Sequence, residues 1–480
     1  MTTQLRGRHR SFRAGKPPLS ARLDVLRQRD FRRFFIGYTT SELGSGMSAT
    51  ATTFAVLDSG KSAADLGLVM AAGIVPIVLC LLGGGIVADR VGSRRVMLAA
   101  DSVRCLAQAL LAVALFTSSP PLWVYIALVT LRGAGEGFFT PSFSALIPEI
   151  SGSARLTDAN ALMSMVGSGA SVAGPAASGI VVAVFGPAAV LAVDAASYGV
   201  SVLALWSLRV ANPAAKERRS VFADLREGWD EFRSRTWLWL VTVQFALFNL
   251  LVWAPFLVLG PTSAHLYYGG ASAWGTILAC LGAGSIVGAM FLLGREPQRP
   301  MFVATAATLG YALPPLALAL QAPLPGVAVA AFLAGIGSAV FNTLYSATEQ
   351  RMLPPGVRAR VSSYSTFGAY FIGPLGLALA GPVAAATSIS VVLFTGVCWQ
   401  FAATGFLLLL PVIRIRPPQP GTEAQEGQAA EAADEATAPA DDHEPTVPII
   451  TTARRPEPEP ARPEPAPAAH QCSSTHCSGH

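Results

Sequence analysis

Between two long apolar stretches of this chain lies a short charged segment, Gly85-Ile86-Val87-Ala88-Asp89-Arg90-Val91-Gly92-Ser93-Arg94-Arg95. The flanking stretches, 66–88 and 96–116, are each long enough to cross a bilayer, whose interior takes roughly 20 helical residues. The charges therefore sit at a membrane surface. Glycine at 85 and 92 lets one helix end tightly against the next, which gives a gate-like hinge more than a catalytic loop. Composition agrees: 52% hydrophobic against 13% charged residues in 480 leaves too little polar surface to coat a soluble globule.

Twelve such apolar windows follow one another, from 34–56 to 387–412, and none alternates with the period of two that a membrane β-barrel needs. The fold class read from this is an all-α polytopic membrane protein with twelve transmembrane helices. Basic residues orient it, because translocated loops avoid Lys and Arg. Residues 1–33 carry ten of them against Asp24 and Asp30. The even-numbered connections carry Arg90, Arg94 and Arg95, then Arg155, the 218–235 region, Arg295 and Arg299, and Arg351, Arg358 and Arg360, whereas the odd-numbered ones carry Lys61 alone. Both termini are expected in the cytoplasm, with the first span as insertion signal. A multi-pass protein of the cell membrane results.

The polar stretch 209–237 splits the spans six and six, into bundles 34–208 and 238–413, with a basic arm 1–33 and a tail 414–480. Phe222, Leu225, Trp229 and Phe232 recur at helical spacing and predict an interfacial linker helix. The tail is rich in Pro, Ala and Glu and predicts disorder. Its His470, Cys472, His476, Cys477 and His480 have nothing around them to preorganise a metal site, and Cys80, Cys105, Cys280 and Cys398 fall within spans. No metal, cofactor or nucleic-acid partner is expected. We expect a monomer in the lipid bilayer. An internal echo supports two halves: Gly169-Ala170-x-x-x-Gly174-Pro175 in the fifth span returns as Gly368-Ala369-x-x-x-Gly373-Pro374 in the eleventh. Repeated halves with a midplane substrate site are a common construction in secondary transporters.

Gly85, Asp89, Arg90, Gly92, Arg94 and Arg95 match the loop signature of the major facilitator superfamily, G-x-x-x-D-R-x-G-x-[RK]-[RK], in the expected place between spans two and three. Arg132 resembles the family's fourth-span arginine, and Gly174-Pro175 with Gly179 resembles its fifth-span antiporter motif, with Ala170 and Ser178 where glycine is common. Asp101-Ser102-Val103-Arg104, Phe138-Phe139-Thr140-Pro141 and Asp194-Ala195-Ala196-Ser197-Tyr198 are similar to the branch of macrolide-efflux and enterobactin-export proteins, in members of actinobacterial type. Where relatives often carry acids near Ser346 and Ser365, this chain has serine. The resemblance implies two pseudo-symmetric six-helix bundles and proton-coupled export of amphipathic small molecules by alternating access. It makes Gly85, Asp89, Arg90, Gly92, Arg94, Arg95, Gly174 and Pro175 gating residues. Import by the same fold, or a receptor without transport, stays open. No nucleophile elbow, His cluster or phosphate loop suggests an enzyme.

A charge at mid-membrane costs on the order of 2.5 to 3.5 kcal/mol on insertion scales, so each intramembrane charge is paired or useful. Glu42, Asp101, Arg104, Arg132, Glu136 and Asp194 are such residues. Two readings stand: Arg132 with Glu136 and Asp101 with Arg104 neutralise one another along their own helices, or they belong to proton coupling. Glu42 has no cation near it in sequence, and we take Glu42 with Glu136 as the proton-linked pair. Asp194 is read as structural. Gln244, Phe248, Asn249 and Trp253 on span seven, with Phe341, Asn342 and Tyr345 on span ten, are the candidate substrate-cavity residues, because lipid cannot hydrogen-bond their amides.

Overall fold

The computed structural model describes residues 23–152, 155–208, 229–295, 297–353 and 355–414. Most of the basic arm, the linker face carrying Phe222 and Leu225, and the tail with its His and Cys residues lie outside the described residues.

Apolar runs punctuated by Gly and Pro give twelve helical units: α1 Arg29–Asp58, α2 Ala63–Val91, α3 Ser93–Thr117, α4 Leu122–Ser151, α5 Leu156–Phe185, α6 Pro187–Trp206, α7 Thr236–Tyr267, α8 Ala271–Leu292, α9 Pro300–Ala319, α10 Leu324–Met352, α11 Pro355–Tyr370 with Gly373–Ala386, and α12 Ile389–Leu409. No strand occurs among the described residues. Among the described residues ten helices are long and apolar enough to span a membrane, by length and composition. The other two, α1 and α4, are 30 residues each, about 45 Å at 1.5 Å per residue. They are the less apolar pair because they hold Glu42 among serines and threonines, and Arg132 with Glu136. Leu79, Phe116, Ile180, Met290 and Leu409 are large apolar side chains left exposed on the helices, as contact with lipid requires.

Helix ends follow local chemistry. Ser62 and Asp65 cap α2 reciprocally, Asp65 Oδ2 accepting from the Ser62 amide at 2.9 Å and Ser62 Oγ from the Asp65 amide at 3.2 Å. Gly92 ends α2 and begins α3 at φ 98°, a conformation that penalises any Cβ.

Within the first half α2 packs on α4, α3 on α6, and α1 on α5 and α6; within the second, α8 packs on α10 and α9 on α12. The two main contacts between the halves are α5 with α8 and α2 with α11, with lesser ones of α7 on α1 and α2 and of α8 on α1. A shift of six helices converts either contact into the other, which is what a pseudo-twofold relation between bundles produces.

We call the side where α1 starts and α12 ends the terminal face. At the opposite face one apolar cluster runs through both halves, with Phe54, Leu57, Leu66 and Val182 joined to Phe256, Leu259, Trp274 and Leu377. At the terminal face the clusters are separate: Phe31, Phe34, Leu146 and Leu205 belong to one half, Trp237, Leu238, Leu344 and Val361 to the other. Closure is one-sided among the described residues.

Candidate functional site

Arg104 on α3 is the hub of the first half. It is 2% exposed, and its guanidinium donates to Asp101 Oδ1 at 2.8 Å and to the Tyr198 hydroxyl on α6 at 2.9 Å. It also pairs with Glu136 Oε2 on α4 at 2.7 Å and lies over the Tyr198 ring, 4.2 Å from its centroid. Asp101 accepts a second bond from Ser201 Oγ at 2.6 Å, and Tyr198 shares a 2.8 Å bond with Ser45 of α1. Four helices thus converge on one cation. The i, i+3 spacing of Asp101 and Arg104 is borne out as a contact, but Glu136 pairs with Arg104 and not with Arg132, because α3 brings a buried guanidinium against α4.

Glu42 is half-buried and makes no hydrogen bond or ion pair among the described residues, and it interacts electrostatically with Glu136, Arg104, Asp101 and Tyr38. The two acids of the expected pair are therefore brought into one electrostatic neighbourhood. Asp194 is fully buried, with Oδ2 accepting from Gln108 Nε2 at 2.7 Å, Gln108 also donating to Ser48, and Oδ1 left without a partner. Arg132 acts on Asp194 through its field.

The residues expected to gate divide. Arg94 Nε and Nη2 donate to the carbonyls of Leu205 and Trp206 at 2.8 and 2.6 Å, so a signature arginine caps the last turn of α6, joined there by Arg33 on the Ser207 carbonyl at 3.1 Å. Arg90 and Arg95 are exposed, and the side chain of Asp89, like Gly85, lies outside what the structure describes. Gly174 meets the backbone of Gly46, where an added Cβ would lie 2.6 Å from the Gly46 carbonyl carbon. The following turn of α5, from Pro175 to Gly179, rests on Gly275 of α8 and so forms part of the seam between halves.

The second half holds a cavity of about 240 Å³ between α7, α10 and α11. Phe341, Asn342 and Tyr345 line it, and so do Phe245 and Glu349, which the sequence reading passed over. Phe245, Phe341 and Tyr345 form a ladder, with centroids 5.3 and 5.6 Å apart and planes 8° and 20° from parallel. Glu349 accepts from Ser362. The signal for it is in the spacing: 341, 345 and 349 are successive i, i+4 positions on α10, which continues to Met352.

Gln244, Phe248, Asn249 and Trp253 are placed elsewhere. Gln244 is 8% exposed and faces Thr404 at 3.5 Å, and Phe248 is buried with Val252 against Tyr311. Trp253 stacks between Phe248 and Phe256. Asn249 donates to the carbonyls of Phe245 at 3.0 Å and Ala369 at 3.1 Å. The reason is visible in the backbone: α7 passes through a π-turn at Asn249–Trp253 ahead of Pro255, and α11 breaks at 371–372 ahead of Pro374. Proline lacks an amide N–H and so favours an interruption of each helix. The Asn249 carboxamide is used on backbone carbonyls and that of Gln244 on a hydroxyl, so neither lines the cavity.

A family model described as transmembrane secretion effector matches residues 20–439. The multidrug efflux pump Tap of Mycolicibacterium fortuitum is 27% identical over 361 residues, 73% of this chain and 88% of that protein. Macrolide efflux protein A of Streptococcus pyogenes is 20% identical over 73% of this chain and 88% of its own length. Among solved structures, the nucleoside transporter NupG superposes with a TM-score of 0.63 at 14% identity, covering 81% of this chain and all of that one. A bacterial homolog of the human lysosomal transporter Spinster, in an inward-facing and unoccupied conformation, gives 0.59 at 14% identity, covering 83% and 98%. These two likenesses concern the fold. With 420 of its positions spanned by one family model and the signature loop in place, the chain belongs to the transmembrane secretion effector family of major facilitator transporters.

Proposed function

We propose that this protein is a proton-coupled exporter of amphipathic small molecules, of drug, antibiotic or secondary-metabolite type, acting in the cell membrane as a monomer with both termini cytoplasmic. Its chemistry is translocation without covalent change to the cargo. The observation that carries the reading is the one-sided closure: a shared apolar cluster at the face opposite the termini, and separate clusters at the terminal face. Bundles 34–208 and 238–413 rock about the α5–α8 and α2–α11 seams, and the basic N-terminal arm and even-numbered connections make the separated side the cytoplasmic one. Efflux relatives support the outward direction.

Proton coupling rests on charge balance. In the first half two arginines, Arg104 and Arg132, face four carboxyls, Glu42, Asp101, Glu136 and Asp194. Two negative charges in excess inside a membrane are costly, so the surplus is met by protons. Asp101 and Glu136 are ion-paired with the Arg104 guanidinium; Glu42 feels its field without an ion pair among the described residues and is the acid we assign to proton exchange, with Glu136 as its neighbour. In inverted vesicles, flux of labelled macrolide or tetracycline is expected to collapse with the proton gradient. E42Q is expected to abolish the gradient-driven component while leaving stability within about 0.5 kcal/mol. Gradient-driven flux unchanged in E42Q would remove this assignment.

A further inference from the structure

We infer that the cavity between α7, α10 and α11 is a subsite for an organic cation bearing an aromatic group, with Glu349 as its counter-charge. The inference deepens the export reading for the nature of the cargo, and depends on it only for the direction of movement.

Three features converge on that chemistry. The wall is graded: along one face of α10, positions 341, 345 and 349 present ring, ring and carboxylate at one-turn intervals, about 6 Å apart. Phe245 of α7 extends the ring ladder with planes 8° from parallel to Phe341. The polar end is unsatisfied. Glu349 has the Ser362 hydroxyl as partner and no ion-paired cation among the described residues. Ser365, on the same wall and 7% exposed, has an Oγ without a hydrogen-bond partner. The third feature is size. At about 240 Å³ the cavity exceeds the roughly 150 Å³ that accepts benzene in an apolar core, and so takes one ring with a substituted ammonium or phosphonium centre.

The charge decides the class. An anion would meet a carboxylate, and a neutral aromatic would leave that carboxylate half-desolvated with only a hydroxyl to bond. A cation satisfies it, and its neighbouring ring carbons meet π faces that attract positive charge as well. The order of the wall also sets an orientation. Charge points toward the terminal face, where α10 ends, and the ring toward mid-membrane.

The test is equilibrium binding to the full chain in lipid nanodiscs, with tetraphenylphosphonium as a permanent cation and N-phenyl-1-naphthylamine as a neutral aromatic. E349Q is expected to weaken tetraphenylphosphonium about tenfold or more, with the neutral probe within about twofold, and E349D to keep cation binding close to that of the unaltered chain. F341A is expected to weaken both probes. Unchanged cation affinity in E349Q, parallel loss of both probes in E349Q, or equal loss in E349D and E349Q would each overturn the subsite. Binding through Glu349 with no flux in inverted vesicles would instead defeat the export reading and leave the subsite standing. Export of uncharged compounds without cation binding would do the reverse.

Discussion

The two halves share a helix plan and differ in how they hold polar groups. In the first, α1 to α6 run unbroken through Pro76, Pro141, Pro148 and Pro175, and their polarity is gathered into side-chain charge around Arg104. In the second, α7 has a π-turn, α9 a 3-10 turn at Thr308–Ala312 and α11 a break at 371–372, and amides meet the carbonyls at these interruptions. Asn249 bonds the first and third, and Gln400 of α12 donates to the Thr308 carbonyl at 3.1 Å. One bundle is therefore stiff in backbone and rich in ionisable groups. Its partner is pliable in backbone and lined with rings.

That contrast is open to attack. The largest effect is expected for R104M, which leaves Asp101 and Glu136 without their cation; breaking a buried pair in this way costs about 3–5 kcal/mol. Thermal unfolding in detergent should show the loss concentrated in the first half, and a shift of under about 1 kcal/mol would mean the hub is not what holds that half together. N249A should come next, at about 1–3 kcal/mol for two lost side-chain hydrogen bonds, with hydrogen exchange rising in α7 and α11 and not in α1 to α6. Uniform exchange across both halves would erase the distinction. Replacing Pro374 by alanine restores an N–H where α11 is interrupted, and should stiffen 371–372 by up to about 1 kcal/mol while slowing transport. P175A, in a helix that is already unbroken, should change backbone hydrogen exchange in α5 far less than P374A does in α11. If the two behave alike, the repeated Gly-Pro pair has one role and not two.

The smallest effect concerns the closed face, where His265 Nδ1 of α7 lies 3.4 Å from Asp58 Oδ1 of α1. Partial burial, more than the opposing pull of His265, raises the Asp58 carboxyl above its ordinary range. Both groups are over a third exposed, so H265A should weaken closure by no more than about 1 kcal/mol. Cysteine accessibility at the opposite face would measure this as a few-fold change at most. A larger one would make this contact a principal latch.

Much of the plan was legible in the order of residues. Twelve apolar windows, the loop at Gly85 to Arg95 and the i, i+3 spacing of Asp101 and Arg104 are local patterns, and local patterns survive folding. The pairing of Arg104 with Glu136 is not local: Arg132 is the nearer cation along the chain, and only the crossing of α3 on α4 makes it the wrong one. Asn249 and Gln244 show the other blind spot. An amide in a membrane helix must face inward, but sequence does not say whether a protein oxygen or a ligand waits there. Glu349 needed only that the periodicity of Phe341 and Tyr345 be followed one turn further.

Asn249 has a consequence for how motion is transmitted. Its carboxamide holds the carbonyl of Phe245, whose ring forms part of the cavity wall, and that of Ala369, just ahead of the interruption in α11. Pressure on that ring reaches both helices through a single planar group. At the depth of this residue α7 and α11 are accordingly tied to each other, so that a displacement of one is resisted by the other.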